Sequence, residues 1–210
     1  MIVQSIRKER GMAVIDLGSE TIRIAWADLQ GLPIREGGEV DMDQLDQSLL
    51  ERQYRPALEY AVSLMASRPY AEKELEERLR RRGYRPRTVE MVLFKLNHHE
   101  LLDDEAFARQ WTQARTGRNM GSRRIAQELR RKGVDTDIID QVLEEIDPEQ
   151  NLLNAVNLVK RSLNRGRPEE DPRKTAQRLI SMLVRRGFDF DTAREALSIA
   201  RSDLEMEGED

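Results

Sequence analysis

Three stretches of this chain share one pattern: an amphipathic helical run, basic residues, a glycine, an apolar residue and a second helical run. They are PYAEKELEERLRRRGYRPRTVEMVLFKL at 69 to 96, SRRIAQELRRKGVDTDIIDQVL at 122 to 143 and RKTAQRLISMLVRRGFDFDTAREAL at 173 to 197. Aligned on Gly83, Gly133 and Gly187, their apolar positions coincide. Leu79, Leu129 and Leu183 stand four residues earlier, and Leu75, Ile125 and Leu179 stand eight earlier. Tyr84, Val134 and Phe188 follow each glycine, and Leu93, Leu143 and Leu197 stand ten later. Agreement at this many positions marks an internal repeat, and a repeat restricts the chain to stacked small units.

The glycine has a physical reason. A helix that closes through the left-handed region needs a residue without Cβ at that point. The residue after it then folds back on the last turn, pairing Leu79 with Tyr84, Leu129 with Val134 and Leu183 with Phe188. Basic residues before the glycine complement the negative end of the helix dipole, by up to about 1 kcal/mol each where exposed. That accounts for some positive charge there, but not for three consecutive arginines at 80 to 82, nor for Arg130, Arg131 and Lys132 together.

Second helices begin with Pro86 in a first turn and with Asp135 and Asp189 as caps. Third helices follow in the first two units. In DDEAFARQWTQAR, Asp103 caps and Phe107, Trp111 and Ala114 share a face. In DPEQNLLNAVNLVKRSL, Asp147, Pro148 and Gln150 form a cap, a first-turn proline and a capping-box partner. Ala71 is a poor cap for the first repeat helix, at a cost of about 1 kcal/mol.

Ahead of the repeats, residues 12 to 26 alternate as a β-hairpin, which is marginal in water unless it packs on something else. A helix capped by Asp41 or Asp43 follows to about Ser67, with a break expected near Pro56. Its apolar stripe is Leu45, Leu49, Tyr54, Leu58, Ala61, Val62 and Met65. The resulting division is 1–40, hairpin extension and loop; 41–68, linking helical segment; 69–117, repeat one; 118–165, repeat two; and 166–210, repeat three with an acidic tail. A flexible joint is expected at 165 to 172, and the tail after Leu204 is expected to fray.

Composition narrows the function. The chain has no cysteine, so disulfides, thiolate metal sites and cysteine nucleophiles are excluded. No apolar run approaches the roughly 20 residues of a membrane span, and the N-terminus lacks a signal-peptide core, so a cytoplasmic protein is expected. Residues 68 to 187 hold 26 Lys and Arg against 20 Asp and Glu, between acidic ends. Such a middle suits nucleic acid or an acidic protein surface.

Catalytic sets are missing. The two histidines, His98 and His99, are adjacent and point about 100° apart on a helix, which does not chelate one metal. Asp103 with Asp104 reads as a cap beside an acidic first turn. IDLGSETIRIA resembles the first phosphate loop of actin-like ATPases, yet nothing after residue 40 supplies the further lobe those enzymes need. No enzyme activity, metal or cofactor is expected. The candidate surface is basic: Arg80, Arg81, Arg82, Arg85, Arg115, Arg118, Arg123, Arg124, Arg130, Arg131, Lys132, Arg185 and Arg186. Arg115, Arg118, Arg123 and Arg124 gather around Gly117 and Gly121, whose backbone N–H groups could also face an anion.

The blocks RPYAEKELEERLRRRGY, LLDDEAFARQW, GSRRIAQELRRKGV and LVRRGFDFDTAREAL resemble the RecX family of bacterial regulators of the RecA recombinase. The likeness covers roughly residues 55 to 200. It implies a mainly all-α fold of tandem three-helix repeats in an elongated, curved array. It also implies binding to the RecA filament, with restraint of filament extension, ATP hydrolysis and strand exchange in homologous recombination and DNA repair. Some members bind single- or double-stranded DNA directly, and no catalytic residue is implied. A monomer is expected. The alternative is a helical-repeat DNA-binding protein acting without recombinase. Against base reading, RPRTVEM offers few suitable side chains and DTDIIDQ is acidic.

Overall fold

The computed structural model describes residues 1–164 and 171–207. Among these residues it holds ten helices and one small sheet, divided into two compact units, Met1–Asp103 and Asp104–Asp210.

The first unit opens with an antiparallel meander, β1 (Ser5–Glu9), β2 (Met12–Asp16) and β3 (Thr21–Ala25), in spatial order β1-β2-β3. The expected hairpin is β2–β3, and β1 adds a third strand. β1 turns into β2 at Arg10 and Gly11, both at positive φ, which matches the twist of a two-residue hairpin. In the β2–β3 turn the Asp16 carboxylate accepts from the Gly18 N–H at 2.8 Å, so it serves the turn. Ile22 and Ile24 point inward and alternate with exposed Thr21 and Arg23.

After the short α1 (Trp26–Leu29), α2 (Met42–Met65) runs unbroken through Pro56. Asp41 caps it, accepting from the N–H groups of Asp43 and Gln44. Packing of Ala57 and Ala61 just beyond the proline holds the helix where propensity alone predicts a break. Leu45 and Leu49 of α2 close a core over the sheet with Val3, Ile15 and Ile24. Ala57 and Ala61 close a second core with α3 (Glu72–Arg82) and α4 (Pro86–His98). Val62, expected in the stripe, is exposed, because the buried row steps by four residues from Leu45 to Ala61.

Between the two cores lies Gln53, 1 % exposed. Its amide donates to Asp28 Oδ2 at 2.7 Å and to the Gly83 carbonyl at 3.3 Å. Its oxygen accepts from the Arg85 N–H at 2.9 Å and the Thr88 hydroxyl at 3.3 Å. Both donors and its acceptor are used, so burial of this polar group is compensated.

The second unit holds α5 (Asp104–Thr116), α6 (Ser122–Lys132), α7 (Thr136–Glu144), α8 (Pro148–Leu163), α9 (Pro172–Arg185) and α10 (Phe190–Glu207). Helices pack as α2 with α3 and α4, α5 with α6 and α7, and α8 with α9 and α10. The packed groups thus begin one helix before the boundaries drawn at 69, 118 and 166. Glycine spacing finds the period of a repeat, while its phase is decided by which helix covers the glycine-linked pair. Asp135 and Asp147 cap as expected, while the Gln150 amide donates forward to Asn154 at 3.1 Å instead of back to the cap. Of the joint expected at 165 to 172, residues 165 to 170 lie outside the described residues. Asp171 and Pro172 already cap and start α9. α10 continues to Glu207, past the expected fraying point, and residues 208 to 210 lie outside the described residues.

All three closures form as the alignment predicts. Gly83, Gly133 and Gly187 have φ of 99°, 83° and 94°. The N–H groups of Tyr84, Val134 and Phe188 donate to the carbonyls of Leu79, Leu129 and Leu183 at 3.2 to 3.3 Å.

Candidate functional site

The basic residues singled out in the sequence divide by what they touch. On α3, Arg80 pairs with Glu76 at 2.7 Å and Arg81 with Glu77 at 2.6 Å, each one turn back on the same helix. Arg82 lies over the Tyr60 ring at 4.8 Å. The triple arginine is therefore largely offset by its own helix. Arg85 is more deeply committed. Its Nε donates to Asp46 Oδ1 at 2.7 Å, with side-chain exposures of 14 % and 26 %, tying α4 to α2. Breaking a pair this desolvated costs far more than breaking an exposed one. Arg85→Ala is expected to cost about 2 kcal/mol in denaturant unfolding, against a few tenths for Arg80→Ala. Equal costs for the two variants would place the Arg85 pair in solvent.

In the second unit, Arg115 belongs to a stack. It lies over Trp111 at 4.2 Å and donates to Glu128 at 2.7 Å. Lys132 also lies over Trp111 at 4.2 Å, and the indole N–H donates to Glu128 at 3.2 Å. Trp111, Glu128, Arg115 and Lys132 thus bind α5 to α6. Arg124 reaches the same Glu128 at 3.4 Å.

Four arginines belong to two helix ends that meet, Arg123 and Arg124 at the start of α6 and Arg185 and Arg186 at the end of α9. Gly187, closing α9, sits against the N-terminus of α6. A Cβ on Gly187 would stand 2.4 Å from both Cβ and N of Arg124, and one on Gly121 would stand 2.3 Å from the Phe188 N. The Gly121 N–H donates to the Arg186 carbonyl at 3.0 Å, and the Arg123 N–H to the Gly187 carbonyl at 3.1 Å. The Arg124 guanidinium reaches the Arg185 carbonyl at 3.5 Å. Carbonyls left over at the end of α9 thereby satisfy N–H groups left over at the start of α6. The expectation that N–H groups beside Gly121 face an anion is corrected here, because those of Gly121 and Arg123 are already taken. Charge at this junction comes from side chains: the backbone brings Arg123 and Arg124 beside Arg185 and Arg186, 61 residues further on, and the Arg124 guanidinium reaches across.

Among the described residues, Arg118, Arg123, Arg130, Arg131, Arg185 and Arg186 have no carboxylate at ion-pairing distance. Arg131 donates back to the Gln127 carbonyl at 3.3 Å. Arg118 lies on the loop that leads from α5 to Gly121. The sequence grouped Arg115 with Arg118, Arg123 and Arg124. The structure commits Arg115 to Trp111 and puts Arg185 and Arg186 beside Arg123 and Arg124.

Asp189 stands at the edge of this cluster and caps α10. It accepts from the Thr192 N–H at 2.8 Å and the Thr192 hydroxyl at 2.6 Å. Burial pushes its carboxyl up, but the Thr192 hydroxyl and N–H, and then the Arg123 charge, outweigh burial and hold it below the usual carboxylate range. A depressed carboxyl contributes stability that is complete above its unfolded value, about 3.9, and is lost as pH falls through the folded value. Asp189→Ala is therefore expected to cost about 1 kcal/mol near neutral pH. The gap from the parent protein closes below about pH 4, read as melting temperature against pH. A gap constant down to pH 2 would rule out the ionised cap.

Among the described residues, no group of three or more His, Asp or Glu side chains is placed to hold a metal ion, and no helix is long and apolar enough to cross a membrane.

Comparison with known proteins agrees with this architecture. Family models described as the first, second and third three-helix domains of RecX match residues 57–96, 103–143 and 149–197. A "Regulatory protein RecX" from Mycolicibacterium smegmatis is 38 % identical over 143 residues, which is 66 % of this chain and 76 % of that protein. Another from Halorhodospira halophila is 39 % identical over 145 residues, 69 % of this chain and 88 % of that protein. A crystal structure of regulatory protein RecX superposes with a TM-score of 0.63 at 24 % identity, covering 91 % of this chain and 96 % of the other. At that identity the superposition speaks for the fold.

Proposed function

The chain belongs to the RecX family, and from that premise we propose that it regulates the RecA recombinase without catalysing a reaction itself. It binds the RecA filament on DNA in the cytoplasm, as a monomer, and restrains filament extension, ATP hydrolysis and strand exchange. The observation that carries this reading is the meeting of Arg123, Arg124, Arg185 and Arg186 at one junction. Guanidinium forks bind phosphates and carboxylates two bonds at a time, and a nucleoprotein filament presents both. Further helix groups on the same chain add contacts through effective concentration. A chain that touches neighbouring subunits holds their spacing and opposes the changes that growth and hydrolysis require.

Base reading without recombinase is the weaker alternative. Thr88, in the first turn of α4, is fully buried on Gln53, and Asp135 at the start of α7 is occupied as a cap. The start of α4 exposes one guanidinium, Arg87, and the start of α7 is acidic, so neither presents the set of amides and guanidiniums that reads successive base edges.

The test adds the purified chain to RecA on single-stranded DNA and follows ATP hydrolysis. Hydrolysis should fall near stoichiometric protein, and the inhibition should weaken steeply between about 50 and 200 mM salt. Unchanged hydrolysis at stoichiometric protein would refute the reading.

A further inference from the structure

Within the second unit lies a cavity of about 420 Å³ between α5, α7 and α8. The hydroxyls of Thr112 and Thr116 line it, and both are buried without a hydrogen-bond partner. Thr112 is only 6 % exposed. A buried hydroxyl with no partner is costly and points to a polar group that completes it. Asn154 sits beside them, held by the Thr116 carbonyl at 3.3 Å and by the Gln150 amide. Val142 and Ile146 give the cavity apolar walls. Asp147 stands at the lip, where one carboxylate oxygen caps α8 and leaves the other over.

We propose that this cavity takes a nucleobase bearing an exocyclic amino group, from a single strand whose phosphates lie on the arginine junction. The proposal rests on the DNA contact in the function proposed above and names the subsite that goes with it. Apolar walls suit the faces of a base. Neutral hydroxyls suit its ring nitrogens and carbonyl, and the leftover oxygens of Gln150 and Asp147 suit the amino group. Charge is ordered in the same sense. At the cavity Arg109 is paired with Glu145, which leaves Asp147 as the surplus charge; it repels phosphate, while the junction arginines attract it. Gly117, on the cavity wall, and Gly121, at the junction, are four residues apart and therefore within about 14 Å. A short stretch of strand bridges that distance, placing its backbone on the arginines and one base in the cavity.

The test uses the full chain and three labelled strands of equal length at about pH 8: oligo-dC, oligo-dT and an abasic strand that keeps only the sugar–phosphate backbone. Anisotropy should show oligo-dC binding roughly tenfold tighter than the abasic strand, with oligo-dT between them. In Thr112→Val, which keeps the shape and removes the hydroxyl, the dC advantage should fall below about twofold while abasic binding is unchanged. Melting should show this variant no less stable than the parent, since an unsatisfied hydroxyl has been removed. Thr116→Val serves as a second variant should Thr112→Val fold poorly. Equal binding of oligo-dC and abasic strand overturns the base subsite and leaves the arginine contact standing. A dC advantage that survives in both variants overturns it too, by placing the base elsewhere. If no strand binds at all, the subsite and the direct DNA contact fall together.

Discussion

Gly187→Ala lowers the melting temperature of the Asp104–Asp210 unit by on the order of 15 °C. Two penalties add. At φ 94° an L side chain costs about 1 to 2 kcal/mol in the left-handed region. The new Cβ then meets Arg124 backbone and Cβ at 2.4 Å, which are not the yielding end of a flexible side chain. Relieving that overlap costs a further 1 to 3 kcal/mol or so, as overpacking does elsewhere. Two companions separate the terms. Gly37, at φ 74° with nothing within 4 Å of an added Cβ, carries the backbone penalty alone. Gly121 has φ −78° and carries the close approach alone, its Cβ being 2.3 Å from the Phe188 N. Gly187→Ala should cost about as much as Gly37→Ala and Gly121→Ala together. A melting curve no worse than that of Gly37→Ala would mean that the α9 turn is not seated on α6.

Replacing Arg123, Arg185 and Arg186 together by alanine weakens single-strand binding on the order of 100-fold near 50 mM salt, at about 1 kcal/mol per lost contact. These three have no carboxylate at ion-pairing distance among the described residues, so the intramolecular loss is confined to the longer-range support that Arg123 gives Asp189. Each phosphate neutralised on a single strand contributes about 0.7 to the slope of log affinity against log salt, so the slope should flatten by about 2. Arg80→Ala with Arg81→Ala is the matched control, because those charges already face Glu76 and Glu77. If the control loses as much as the triple variant, the contact lies on α3 and the junction has no special part in it.

Much of the helical framework is legible in the chain because its determinants are local. Glycine at 83, 133 and 187, the apolar residue after it and the leucine four before it define each closure within six residues. Aspartates 41, 135, 147 and 189 sit where caps belong. What escapes depends on distant partners. β1 has a single inward apolar residue, Ile6, and exists through its pairing with β2. Gln53 breaks the apolar stripe of α2 because four separate groups converge on it. The phase of the repeats escapes because covering helices precede the glycine-linked pairs.

The candidate site divides the same way. The residue types were visible, but pairing decides which charges remain available. Glutamates one turn away neutralise Arg80 and Arg81, a local relation that the i to i+4 spacing already signals. The meeting of Arg123 and Arg124 with Arg185 and Arg186 is tertiary. Its trace in the sequence is the glycine at 121, directly before a helix. Thr112 and Thr116 left no trace, since a threonine on a helix is unremarkable until its hydroxyl lacks a partner.

The sharing of α2 between two cores bears on how the first unit comes apart. Leu45 and Leu49 cannot leave the sheet without dragging the helix on which Ala57 and Ala61 hold α3 and α4. Gln53, at the seam, would lose contacts on both sides at once. The meander is therefore a cooperative part of the first helical group, and the Arg85 amide should exchange its hydrogen only when sheet and helices open together.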